Sequence, residues 1–81
     1  MDSPQPTLHA IWKDVLKVSE LDVDTDFFKA GGHSLLAVQI LFRISEKFDV
    51  DLSLEDFTSH PTINALTEVI ENALIAQAKH S

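Results

Sequence analysis

Apolar residues recur every three or four positions in three stretches of this chain. In the first, Leu8, Ile11, Trp12, Val15 and Leu16 make one face of a helix, and Pro6 suits its first turn. From Val18 to His33 the period lapses into Ser, Asp, Thr and paired aromatics. Such a long connection is expected to hold a short helical turn of its own, at Asp24 to Phe28. A second helix is predicted over Ser34 to Phe48, and a short segment at Ser53 to Thr58 in which Ser53 caps a turn ending near Asp56. The last helix is placed from Pro61. In it Ile63, Leu66, Val69, Ile70, Ala73 and Leu74 keep the period while Glu68, Glu71 and Asn72 lie off it. No strand-like alternation or internal repeat occurs. The expectation is an all-α fold, a small four-helix bundle of three longer helices plus a short third one. A polar lead-in occupies residues 1–6, the domain 7–76, and a tail over 77–81 is expected to fray.

On a helical wheel of the second helix, Ala37, Ile40, Leu41, Ile44 and Phe48 share a broad sector assigned to the core. Loss of Leu41 to alanine is then expected to cost about 2–5 kcal/mol. Leu35, Val38 and Phe42 form a second apolar strip beside Ser34, bordering the polar sector of Gln39, Arg43 and Glu46. Two readings of that strip stand open: it widens the core face against the long loop, or it is a recognition surface.

Composition removes several function classes. At 81 residues the chain is one domain, with little room for an internal cleft. Its charge of -7 disfavours nucleic acid and favours a partner with a basic surface. No apolar run suits a membrane span, and MDSPQPTLHA has neither a basic flank nor an apolar core of a signal, so a cytoplasmic protein is expected; a monomer is expected as well. The absence of cysteine excludes disulfides, thiolate metal sites and a thiol nucleophile, so the sulfur of any thioester would have to come from a cofactor. His9, His33, His60 and His80 lack metal-ligand spacing; loop and surface histidines and no metal are expected.

The only two glycines, Gly31 and Gly32, stand together before His33, Ser34 and the second helix. Adjacent glycines permit a sharp turn and remove bulk, so another surface can approach Ser34 closely. A serine there can serve as an N-cap, or as a phosphate attachment point where unpaired amides and the positive end of the helix dipole stabilise an anion. Self-catalysis by neighbouring His33 and Ser34 lacks a third member and a GxSxG elbow.

With these residues placed, DFFKAGGHSLLAVQI resembles the carrier (thiolation) domains of nonribosomal peptide synthetases, the peptidyl carrier proteins. The resemblance runs from the first helix through Asp26, Phe27, Phe28, Gly31, Gly32, His33, Ser34, Leu35 and Leu36, and resumes at Val50, Leu52, Leu54, Phe57 and Pro61-Thr62-Ile63. It implies that a phosphopantetheinyl transferase attaches 4′-phosphopantetheine from coenzyme A to Ser34. It also implies that an adenylation domain loads the arm with an aminoacyl or aryl group, and that condensation, thioesterase or tailoring domains receive the cargo. The carrier itself then does no catalysis. Ala30, Asp49, Ser53 and Phe42 depart from the usual pattern, and Leu35, Val38 and Phe42 are expected to dock partners. An acyl carrier of polyketide or fatty-acid type would usually have aspartate before the serine and an acidic second helix; His33, Arg43 and Lys47 favour the peptidyl type. An unmodified helical adaptor is the alternative from a different class.

Overall fold

The structure is a computed structural model that describes residues 3–80, with side chains through residue 78. Four helices follow in order: α1 (Gln5–Leu16), α2 (Ser34–Phe48), α3 (Leu54–Ser59) and α4 (Ile63–His80). Among the described residues there is no strand, and the all-α four-helix expectation holds.

Helix α1 begins earlier than its apolar period suggests. Gln5 and Pro6 belong to its first turn, where a proline loses no hydrogen bond, so only part of the 1–6 lead-in is irregular; residues 1 and 2 lie outside the described chain. Its end is set by Lys17 in the left-handed conformation (φ 59°, ψ 46°). Helix α2 has the predicted bounds and ends the same way at Asp49 (φ 55°, ψ 42°). Helix α3 opens on the expected cap, and it is a full capping box. Ser53 Oγ accepts from Asp56 N (3.0 Å) while Asp56 Oδ2 accepts from Ser53 N (3.1 Å).

Helix α4 begins at Ile63 rather than Pro61, because Thr62 caps it: Thr62 Oγ1 accepts from Ala65 N at 3.1 Å. At its other end it stays helical through His80, beyond the Ala76 boundary where fraying was expected. Gln77 there donates its side-chain amide to Asp49 O (2.6 Å), tying the last turns to the end of α2; Ser81 lies outside the described residues.

The core is built from Leu8, Ile11, Trp12 and Val15 of α1, Ala37, Ile40 and Ile44 of α2, Phe57 of α3 and Ile63, Leu66 and Ile70 of α4, with Phe27 entering from the long connection. Leu41 and Phe48, assigned to the core, are only partly buried against it. Removal of the Leu41 side chain therefore vacates less buried volume than removal of Ile44, and its cost falls toward the low end of the expected range.

The connection from Lys17 to His33 contains no short helix. Hydrogen-bonded turns replace the one expected at Asp24 to Phe28, and hydrogen bonds pin the segment to the rest of the domain. His9 Nε2 donates to Leu21 O (2.6 Å), Asn64 N donates to Val23 O (3.0 Å), and Phe27 N donates to Pro61 O (2.7 Å). Two histidines thereby depart from the surface role expected of them. His9 and His60 are part-buried, and their ring nitrogens bond backbone carbonyls, Leu21 O and Asp56 O.

Candidate functional site

The site is assembled by the turn that precedes α2. Asp26 starts it: its carboxylate accepts from Phe28 N (2.8 Å) and its carbonyl from Ala30 N (3.0 Å), so the chain folds back on itself immediately. Phe27 then points inward and is fully buried, whereas its neighbour Phe28 is 42% exposed. The Phe27 ring lies edge-on to Trp12 (5.2 Å between centroids) and Phe57 (4.8 Å), and these two stack on one another at 5.6 Å. Trp12 Nε1, buried in this aromatic group, has no hydrogen-bond partner.

The two glycines answer to different constraints. Gly31 has φ +99°, a conformation that costs any L-residue strain, and open space surrounds the place a side chain would occupy. Gly32 has an ordinary φ, but a Cβ there would collide with the Phe27 ring, 2.6 Å from Cδ2 and nearer still to Cε2 and Cζ. Gly32 N also donates to Phe27 O at 3.0 Å. One glycine turns the chain; the other lets it lie on the aromatic core.

His33 follows in extended conformation (φ −146°, ψ 176°) and is the N-cap of α2, making no side-chain cap. Ser34 is therefore the first helical residue and not the cap that the plain reading of a helix-start serine offered. Among the described residues its hydroxyl has no hydrogen-bond partner, and the side chain is exposed. The first intrahelical bond is Ala37 N to His33 O (2.9 Å), so the amides of Ser34, Leu35 and Leu36 are unbonded; the first turn holds no acidic residue. Free amides and an uncompensated dipole suit a phosphodiester on this hydroxyl.

Beyond Ser34 the apolar strip faces outward: Leu35 is 64%, Val38 50% and Phe42 65% exposed. The reading in which these three widen the core is thus overturned, since Ala37, Ile40 and Ile44 already fill the buried face of α2, which packs against α1 and α3. Arg43, beside the strip, pairs with Asp14 of α1. Among the described residues no group of three His, Cys, Asp or Glu side chains could hold a metal ion, and no helix is long and apolar enough to cross a membrane. Sequence reasoning missed the supports of the turn, namely Pro61 O, Asn64 and the meeting of Trp12 with Phe57. Along the chain Trp12 read as one residue of an apolar helical face, Phe57 as part of the family resemblance and Pro61 as the start of the last helix, while Asn64 carried no signal.

A family model, the phosphopantetheine attachment site, matches residues 6–70. Chondramide synthase of Chondromyces crocatus is 41% identical over 70 residues, which cover 86% of this chain and 2% of that protein. A solution structure of an extended docking-domain complex of the Pax nonribosomal peptide synthetase is 40% identical, with a TM-score of 0.86 over 95% of this chain and 74% of that one. The peptidyl carrier protein matched in a complex with coenzyme A and the phosphopantetheine transferase Sfp is 30% identical, with a TM-score of 0.84 over 89% of this chain and 94% of that one. The chain belongs to the phosphopantetheine attachment-site family, as a carrier domain of the peptidyl type found in nonribosomal peptide synthetases. It spans only about 2% of the length of the large synthases it resembles.

Proposed function

We propose that Ser34 is the residue that accepts 4′-phosphopantetheine, and that the domain presents cargo on this arm without catalysing any step itself. The observation that carries the reading is the Ser34 hydroxyl: exposed, free of hydrogen bonds, and followed by three unbonded helix amides. When bound, the arm supplies a terminal thiol that holds an aminoacyl, aryl or peptidyl group as a thioester, which accounts for a carrier without cysteine.

The chain's own residues hold and expose the attachment point. Gly31 turns the chain and Gly32 lets it rest on the Phe27 ring, the amides of Leu35 and Leu36 offer donors to the phosphate, and Leu35, Val38 and Phe42 supply an apolar surface for the enzymes that must reach it. Nothing in the turn activates the serine: His33 makes no hydrogen bond to it, so the nucleophile has to be deprotonated by a partner enzyme. The partners in this reading are a phosphopantetheinyl transferase, an adenylation domain, and condensation, thioesterase or tailoring domains. A cytoplasmic location and a carrier unit over residues 7–76 belong to the same proposal, with Gln5 and Pro6 joining that unit as the first turn of α1.

The test is intact mass before and after incubation with coenzyme A, magnesium and a broad-specificity phosphopantetheinyl transferase, with Ser34→Ala alongside. One phosphopantetheine added to the native chain and none to the variant is expected. Addition to the alanine variant, or none to either folded protein, would overturn the assignment.

A further inference from the structure

Between the aromatic core and Ser34 lies one continuous contact path. The Phe27 ring is held from below by Trp12 and Phe57, and from above it is covered by the Gly32 backbone so closely that no Cβ fits between them. Its main chain is held as well: Phe27 N donates to Pro61 O, and Phe27 O accepts from both Ala30 N (3.2 Å) and Gly32 N (3.0 Å). One residue past Gly32, His33 O accepts the first helical bond of α2, and Ser34 follows. The ring thus fixes where the Gly32 backbone rests, and only extended His33 separates Gly32 from the serine.

We propose that Phe27 is a positioning residue for the modification of Ser34: by seating Gly32 it sets the location of the Ser34 hydroxyl relative to the docking strip of α2. The proposal rests on Ser34 being the attachment residue. A partner that binds Leu35, Val38 and Phe42 takes its bearings from the helix, while the hydroxyl belongs to the junction between helix and turn. If the turn lifts off the ring, the partner still binds but meets a displaced nucleophile. The loss should therefore fall on kcat and leave KM nearly unchanged.

Phosphopantetheinyl transfer from coenzyme A is measured on the native chain, Gly32→Ala, Phe27→Leu and the double variant, at a temperature where circular dichroism shows each folded. Gly32→Ala forces the turn away from the ring and Phe27→Leu removes the ring's Cε2 and Cζ from beneath it. Each is expected to lower kcat about tenfold, with KM within about twofold of native, since small displacements of a reacting group carry large rate penalties. In the double variant the added methyl enters space the ring has left, so its kcat should exceed that of Gly32→Ala and the two losses should not multiply. A purely structural role would lower the melting temperature and leave kcat of the folded protein unchanged. Native kcat in either folded single variant, or a double variant whose losses multiply, overturns the proposal. Should Gly32→Ala not fold, the kcat of Phe27→Leu alone decides. Failure of the native chain to gain mass at Ser34 would instead refute the attachment assignment beneath it.

Discussion

Replacement of Phe42 by serine probes the proposed docking role of the exposed α2 strip most directly. Phe42 is 65% exposed on the outer face of α2, one turn beyond Val38 and two beyond Leu35. A phenylalanine has roughly 200 Å² of surface to bury, so about 130 Å² remains available to a partner, worth at most about 3 kcal/mol at 25 cal/mol per Å². A docked enzyme that covers half of that area gains about 1.5 kcal/mol, a factor of about ten in affinity. Stability should barely respond, because the ring contributes little to the core: a change within about 0.5 kcal/mol, or under about 4 °C in Tm, is expected. The assay is steady-state kinetics of phosphopantetheinyl transfer, then of aminoacyl loading by an adenylation domain, each set beside a Gln39→Ala control on the same helix. KM for the carrier should rise about tenfold for at least one enzyme, with kcat retained. Native KM for both enzymes in folded Phe42→Ser would refute the assignment of this ring as a docking contact.

Three helix-end substitutions test how the elements begin and end. Ser53→Ala deletes half of the capping box at α3 and is expected to cost about 1 kcal/mol, read as a lower urea midpoint with an unchanged slope. Asp49→Gly relieves a left-handed residue and removes an acidic side chain from the negative end of α2. A net gain of about 0.5–1 kcal/mol is expected after the entropy of glycine is deducted. Lys17→Gly relieves the same backbone conformation but discards a cation at the end of α1 where one is favourable, so its gain in Tm should be the smaller of the two; the reverse order would show that the helix dipole plays no part.

Much of the architecture is decided locally. Helical periodicity placed α2 at its observed bounds, because an apolar stripe of that length buries area only when the chain is helical. The Ser53 cap was equally visible, since its hydrogen bonds span three residues. The glycine pair marked the turn, and the residues around Ser34 were sufficient to indicate the family.

What the tertiary structure alone decided concerns choices between neighbours of similar chemistry. Phe27 and Phe28 are indistinguishable along the chain, yet one is buried and the other is 42% exposed, because Trp12 and Phe57 converge where only the first can reach. Leu41 lost its full core place and the strip of Leu35, Val38 and Phe42 gained its exposure for a related reason. The width of the face that α1 and α3 can cover is a property of the packed bundle, whereas a helical wheel gives only direction. The separate duties of Gly31 and Gly32 were hidden in the same way. A backbone angle and a ring lying beneath a backbone both call for glycine, and only the position of Phe27 tells one demand from the other. The period, the cap and the turn are local and so are written in the sequence; contacts between residues far apart in the chain determine which of two equivalent side chains is spent on the core and which is left exposed.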